Sequence, residues 1–413
     1  MKETRKTELL ASETEAFVSL GVRGAASALC ALAMKKIRTA MLGTGFMGKV
    51  HTEAVRRLGN VEVVALAASP GRDLAPLKES YQIDHVTNDW EKLLQDPEID
   101  AVHVCTPNAQ HAPMATAALK AGKHVLCEKP LAMSSAEAKQ MLDLAESKGL
   151  VHATNHNLRY YPVVQHVRQM IAAGDLGDIL VVQGTYSQDW LLYDTDFNWR
   201  ILADANGPSR VVGDIGSHWM DMIQHLTGMK ITSLCGDIQT FHKTRKRPKG
   251  SVETFSGKTL APSDYEEIRI DTEDFASVLV QLGPRCRGAY TVSQVSAGNK
   301  NSFRFEIYGT KCGISWNQES PDQLWIGHRN SPNQIIVKDP SLLKAGAASF
   351  ADLPGGHSEG YDDSHKQLFR RFYQRIANPS APIDYPTFAD GLRGMQLIEK
   401  VLESSKKRGW VDC

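Results

Sequence analysis

The sequence predicts an α/β chain in two parts: an N-terminal doubly wound parallel sheet, then an α+β part whose sheet is mostly antiparallel. Three observations predict it. From Lys36 onward, short apolar runs alternate with helical periodicities. A glycine-rich turn, Gly43-Thr44-Gly45-Phe46-Met47-Gly48, stands where the first run meets the first helical stretch. Beyond Asn157 the strand-like segments lengthen, alternate apolar with polar residues and meet through Gly or Pro turns.

Taken in order, 37–42 is the first strand, a helical stretch through Arg57 follows the glycine turn, and strand 61–68 completes a βαβ unit. Strands 101–105 and 124–127 are separated by the helical pattern 111–121; helix 135–148 and strand 151–155 close a first domain over 34–156. The second domain, 157–413, opens with helix 163–173, stopped by Gly174-Asp175-Leu176-Gly177. Its strands fall at 179–187, 231–240, 274–282, 287–294, 301–309 and 313–316, with helices at 364–377 and 388–405. Segment 242–272, rich in Lys, Gly, Pro and Ser, reads as a long exposed loop, and 318–357 as irregular.

Composition narrows the function. At 413 residues, 42% hydrophobic and 23% charged, the chain can bury two or three cores. Its 47 basic residues balance 47 acidic ones and no basic run tracks a phosphate backbone, which excludes nucleic acid as a partner. No stretch of about 18 apolar residues predicts a membrane span. Seven cysteines, at 30, 105, 127, 235, 286, 312 and 413, form no C-x-x-C pair, so we expect neither a disulfide framework nor a structural zinc, and a cytoplasmic location. Residues 1–33 carry acids ahead of an Ala/Ser-rich stretch, unlike a secretory signal, and read as a poorly ordered extension before Met34.

The glycine turn has the setting of a dinucleotide site. Gly43 permits the tight turn, Gly45 lets backbone approach a pyrophosphate, Gly48 allows helix and strand to pack closely, and the helix opening at Phe46 and Met47 supplies amides. About 20 residues on, a fold of this kind places an acid for a ribose 2′-hydroxyl. Here the second strand ends Ala67-Ala68-Ser69-Pro70-Gly71-Arg72. With Ser69 and Arg72 as donors the NAD(P) site leans toward NADP, while Asp73 leaves NAD open. Cys105-Thr106-Pro107-Asn108 with His111, and Glu128-Lys129-Pro130, stand at later carboxyl strand ends, where such sheets bind ligands. Lys129 beside a nicotinamide would stabilise an alkoxide. Asp214 and His218, four apart in Gly213-Asp214-Ile215-Gly216-Ser217-His218, would share a helix face, with His218 carrying a proton and Asp214 orienting the ring or binding a hydroxyl. H-E-x-x-H is absent, so no metal is expected.

Together, G-x-G-x-x-G at 43–48, C-T-P-N-x-x-H at 105–111, E-K-P at 128–130 and D-x-x-x-H at 214–218 resemble the glucose-fructose oxidoreductase, inositol dehydrogenase and rhizopine-catabolism (Gfo/Idh/MocA) family over nearly all of 36–410. The resemblance implies a Rossmann domain joined to an open-faced sheet domain, a bound nicotinamide nucleotide, and oxidation or reduction of a secondary alcohol on a sugar or cyclitol. It makes Lys129, Asp214 and His218 the catalytic set, and Asn157, Arg159 and Tyr160 cofactor or substrate contacts. Gln188-Asp189-Trp190 with Phe197-Asn198-Trp199-Arg200 looks closest to members acting on glucosides and anhydrosugars such as levoglucosan. Trp190 and Trp199 would stack on pyranose faces and Asp189 and Arg200 bond hydroxyls, or the same residues are core aromatics beside an ion pair. Two rival functions keep the fold: a redox-cycling glycosidase or lyase with no net nucleotide turnover, and a non-catalytic nucleotide and sugar sensor. An exposed sheet face would pair with a second copy, giving a homodimer or homotetramer.

Overall fold

The computed structural model describes residues 36–250 and 261–413; the extension expected over 1–33 lies outside the described residues. The first layer is a six-stranded sheet of β1 (Ile37–Leu42), β2 (Val61–Ala67), β3 (His85–Thr87), β4 (Ala101–Val104), β5 (His124–Cys127) and β6 (His152–Thr154), in the order 3-2-1-4-5-6. The β2–β3, β1–β4, β4–β5 and β5–β6 pairs run parallel. Crossovers α1 (Phe46–Arg56), α2 (Ala75–Tyr81), α3 (Trp90–Gln95), α4 (His111–Lys120) and α5 (Ser135–Ser147) connect them. Covered strands need an unbroken apolar run, and all of β4 is buried. The sheet order reverses between β1 and β4, which opens a crevice at their carboxyl ends.

The second sheet has nine strands in the order 16-15-14-13-7-12-11-8-17. They are β7 (Ile179–Ser187), β8 (Ile231–Gln239), β11 (Phe275–Leu282), β12 (Cys286–Ser293), β13 (Ser302–Gly309), β14 (Gly313–Asn317), β15 (Gln323–Gly327), β16 (Gln334–Val337) and β17 (Val411–Asp412); β9 (Thr244–Pro248) and β10 (Tyr265–Arg269) form a separate hairpin. All neighbours are antiparallel except β7 and β12. One face is buried: Val278, Val280, Tyr290, Phe303, Phe305 and Trp316 lie under α6 (Pro162–Ala172), α7 (Ser217–Thr227) and α9 (Phe388–Lys407), with Trp219 of α7 stacked on Tyr290 at 4.5 Å. The other face is open and mixed, setting exposed Val181 and Leu279 among Gln183, Arg287 and Arg304. After β16, α8 (Tyr361–Ala377) and α9 return to the first sheet. Arg57 pairs with Asp363 at 2.5 Å, and Ser135 donates from N and Oγ to Glu399 at 2.7 and 2.6 Å.

Two segments differ from the sequence reading. The expected loop 242–272 contains the hairpin β9 (Thr244–Pro248) and β10 (Tyr265–Arg269). Its strands pair antiparallel and are rich in charged side chains, with Arg247 meeting Glu266 at 2.5 Å, so no apolar alternation marks them. Residues 251–260 of that segment lie outside the described ones. Likewise 318–357 holds β15 and β16. Among the described residues Cys105, Cys127, Cys235, Cys286, Cys312 and Cys413 are free thiols, and no helix is long and apolar enough to cross a membrane.

Candidate active site

Two of the glycines in the turn are required by the protein's own packing and one is not. Gly43 has φ +110°, and a Cβ there would lie 2.7 Å from the Cys105 carbonyl oxygen. A Cβ on Gly48 would sit 2.1 Å from the Gly43 oxygen. At Gly45 an added Cβ meets nothing within 4 Å. The chain leaves that space open just where α1 begins, and no side chain caps the helix end there. Phe46, 48% exposed, and Met47 line the adjoining cleft, while Thr106 Oγ1 is buried without a protein partner. Open backbone, uncapped amides and an unpaired hydroxyl fit a dinucleotide.

The cleft holds about 300 Å³. Lys129 enters from the turn after β5; its Nζ donates to Asp214 Oδ1 at 2.8 Å and to the Asp214 carbonyl at 2.7 Å. Asp214 sits in a π-helical turn, Val212–Gly216, that leads into α7. Its second oxygen accepts from Gln294 Nε2 at 2.8 Å, and Arg200 Nε lies 3.5 Å from Oδ1. Burial pushes this carboxyl up, but Lys129, Arg200 and the two hydrogen bonds outweigh it and hold it below the ordinary carboxylate value. Asp214 does not orient His218, as the helix-face reading allowed: its side-chain partners among the described residues are Lys129, Gln294 and Arg200. Among the described residues no hydrogen bond holds His218, which lines the cleft nearby. Burial, then the Lys129 charge and His156, keep its imidazole well below its ordinary value, so it is neutral at pH 7.

The remaining sequence candidates divide by where their polar atoms go. Asn157 lines the cleft and donates to Ser364 Oγ at 2.8 Å; Trp190 and Arg200 also line it. Ser69 and Arg72 are exposed at the β2 tip, where Asn88 Nδ2 donates to both backbone carbonyls at 2.7 and 3.2 Å. His111, buried, lies 2.9 Å from the Thr106 carbonyl and 2.8 Å from that of Pro130, so it joins two turns of the floor. Asn108, after Pro107, is tied to Asn206 at 2.9 Å. Four placements correct the expectation. Arg159 pairs with Asp221, and with Asp390 at 2.8 Å, along a second cavity rather than the cleft. Tyr160 is 1% exposed and its hydroxyl donates to the Asp384 carbonyl at 2.8 Å. Asp189 is held by Lys300 at 2.6 Å, and Trp199 carries the Arg200 guanidinium over its ring at 4.5 Å; neither residue lines the cleft.

Sequence reasoning missed Tyr186, Asn301 and Tyr361, which line the cleft from separate strands and helices and carry no short motif, and Gln294, which reaches it only through Asp214; Gln188, quoted beside Trp190 but given no role, also lines the cleft. It also missed the support beneath Glu128. His51 Nε2 donates to Glu128 at 2.8 Å and Asn155 Nδ2 at 2.5 Å; His51 shares a 2.9 Å bond with His103, which meets the Tyr373 hydroxyl at 2.7 Å. Burial raises the Glu128 carboxyl, but His51, Lys129 and Asn155 hold it below its ordinary value. His51, Glu128 and His365 bring ligand-type atoms within 4.8 Å of one another, yet an amide donor already fills the space beside Glu128 and His51, which suits a hydrogen-bonded carboxylate better than a cation.

A parallel sheet with an open glycine turn, facing an ammonium, a carboxylate and a free imidazole, defines a nucleotide-linked oxidoreductase. Comparison with known proteins makes this specific. Residues 37–156 match the model of the oxidoreductase family with an NAD-binding Rossmann fold, and 164–315 match the GFO/IDH/MocA C-terminal domain. The chain belongs to the GFO/IDH/MocA oxidoreductase family. It is 28% identical over 397 residues to levoglucosan dehydrogenase of Pseudarthrobacter phenanthrenivorans, spanning 92% of this chain and 98% of that one. It is 30% identical over 307 residues to trans-1,2-dihydrobenzene-1,2-diol dehydrogenase of Bos taurus, spanning 73% and 78%. A levoglucosan dehydrogenase complex with NADH and L-sorbose superposes with TM-score 0.82 at 27% identity, over 92% and 99% of the two chains. An inositol dehydrogenase homologue from Azotobacter vinelandii, with NADH and myo-inositol, gives 0.79 at 27% identity over 92% and 98%.

Proposed function

We propose that this protein is a nicotinamide-linked dehydrogenase acting on a secondary alcohol of a sugar, glycoside, anhydrosugar or cyclitol, or reducing the matching ketone. The observation that carries the reading is Lys129, anchored by Asp214, beside an unpartnered neutral His218 in one cleft. The nucleotide, when bound, supplies the hydride acceptor or donor. Lys129 donates to the substrate oxygen and stabilises its developing negative charge; Asp214, itself held by Gln294, aims the ammonium; His218 takes the hydroxyl proton on a ring nitrogen. Trp190 offers an apolar face, and Arg200, Gln188 and Asn301 offer groups for the remaining hydroxyls.

Residues 34–156 carry the nucleotide on Gly43, Gly45, Gly48 and Thr106, and 157–413 supply the substrate pocket. Ser69 and Arg72 at the β2 tip favour a 2′-phosphate, hence NADPH over NADH. The open sheet face around Val181 and Leu279 joins two copies, and the free thiols suit a cytoplasmic setting. The reading is tested by titrating the purified protein with NADH and NADPH by nucleotide fluorescence, then measuring turnover on levoglucosan, myo-inositol, methyl glucosides and L-sorbose. His218→Ala should lower turnover far more than nucleotide affinity; unchanged turnover sinks the acid-base role, and failure to bind either nucleotide sinks the dehydrogenase.

A further inference from the structure

His218 lies in a cleft that substrate and nucleotide fill, which leaves little water to carry away the proton it accepts. A buried path leads from it in the other direction. His156, at the end of the strand-to-turn segment after β6, is 2% exposed, and its ring lies edge-on to that of His218, 5.8 Å between centroids. Its Nδ1 is buried without a hydrogen-bond partner and lies 3.9 Å from Asp221 Oδ2. Asp221 follows His218 by three residues on α7, so both point to the same side of that helix. Asp221 lines the second cavity, of about 450 Å³, together with Arg159 and Asp390. Titratable groups thus run from one cavity to the other.

We propose that the proton taken by His218 leaves through His156 to Asp221 and so reaches water in the second cavity, which makes His156 a relay residue of the alcohol oxidation. The inference rests on the dehydrogenase reading. The steps balance: the substrate O–H bond breaks and its proton moves to His218, while the C–H bond breaks and its electron pair leaves as hydride to the nicotinamide. His218 then gives a proton to His156, directly or through one water, as His156 passes one from Nδ1 to Asp221. One proton reaches solvent per hydride moved, and ketone reduction runs the path backwards. His156 is faced by Asp221 and His218 from α7, Asp390 from α9, Arg159 from its own turn and Lys129 from the turn after β5. Burial, with Arg159 and Lys129, holds its imidazole below the ordinary value against the pull of Asp221 and Asp390, so it is neutral and able to accept.

The deciding variant is His156→Asn, assayed with the tighter-binding oxidised nucleotide and the alcohol of the panel oxidised fastest. We expect kcat to fall about tenfold or more, nucleotide affinity and KM to hold, and added imidazole to restore kcat in proportion to its concentration. Wild-type kcat and pH profile in the variant overturn the relay, as does a fall in kcat that imidazole does not restore. If the variant does not fold, stopped-flow of the wild type with a pH indicator decides. Protons appearing in step with hydride transfer, before the ketone leaves, support the relay; protons appearing only with product release overturn it. Loss of activity in His218→Ala beside a normal His156→Asn removes the relay alone, an active His218→Ala removes the acid-base role beneath it, and failure to bind either nucleotide removes the dehydrogenase reading itself.

Discussion

Lys129→Met keeps a straight apolar stem and deletes one charge, so its consequences can be worked from the contacts. Lys129 and Asp214 are only 14% and 12% exposed and lie 2.8 Å apart. Stranding one partner of a buried pair costs about 3–5 kcal/mol. Asp214 keeps Gln294 at 2.8 Å and Arg200 at 3.5 Å, so we expect the loss to fall at or just under the low end, about 2–3 kcal/mol. The protein should fold and melt at a lower temperature. Turnover should drop roughly 10²–10³-fold, the usual effect of removing one donor to a developing oxyanion. A third consequence separates catalysis from scaffolding. After burial, the Lys129 charge is the largest influence holding His218 down. Removing it favours the imidazolium, so the acid limb of the pH–rate profile should move to higher pH while staying below the value of a free imidazole. The assays are thermal melting, nucleotide fluorescence and steady-state rates from about pH 5 to 9. Wild-type turnover, or a much slower enzyme whose acid limb stays in place, refutes the reasoning.

The glycine turn gives a paired prediction. Gly48→Ala drives a Cβ to 2.1 Å from a backbone oxygen and should cost several degrees in melting temperature; Gly45→Ala meets nothing and should melt like wild type yet bind NADH and NADPH more weakly. Equal effects of the two would contradict an open nucleotide position. Stability should also fall with acid. Burial lowers His365 to about 4 and His152 to about 4. Between about pH 6.5 and about 4 the unfolded chain therefore binds more protons than the folded one, and each histidine withdraws up to about 3 kcal/mol as pH falls through that window. Urea melts across it should reveal that loss, and His365→Phe should flatten the slope by about one proton; a flat wild-type profile would refute this. Leu279→Glu, on the open sheet face, should give monomers in light scattering where the proposed pairing gives dimers or larger, without changing nucleotide binding; a monomeric wild type would end the pairing proposal.

What was legible depended on range. Gly43, Gly45 and Gly48, Lys129, Asp214 and His218 were readable because each belongs to a few consecutive residues whose setting, strand end or helix start, shows in local periodicity. Asp214's true partners were not: Gln294 and Lys129 stand 80 and 85 residues away from it, and i, i+4 spacing suggested His218 instead. The turn holding Asn157, Arg159 and Tyr160 was legible and Asn157 does line the cleft, but the directions of Arg159 and Tyr160 were not legible. Arg159 and Tyr160 follow charges and carbonyls contributed by α7, α9 and residue 384, which only the folded chain brings near. β3 was invisible because three residues carry no period, and the β9–β10 hairpin because ion pairs replace its apolar alternation.

The buried histidines explain why the first sheet alone does not make this site. Glu128 precedes Lys129, and its carboxylate is fixed by His51 and Asn155 from different elements of the same sheet layer. His51 in turn leans on His103 and on Phe369 of α8, and His103 on Tyr373 of α8. On the other side Lys129 is fixed by Asp214, which belongs to the turn before α7. The reactive ammonium is thus clamped between a network that needs α8 and a carboxylate that needs α7. Neither clamp exists until the second half of the chain has folded back onto the first. The same buried network contains His365, whose low value makes stability fall in acid. Acid should therefore remove activity in two separable ways, reversibly through His218 in the folded protein and cooperatively through the clamp. A rate profile that tracks tryptophan fluorescence at every pH would show that only the clamp titrates.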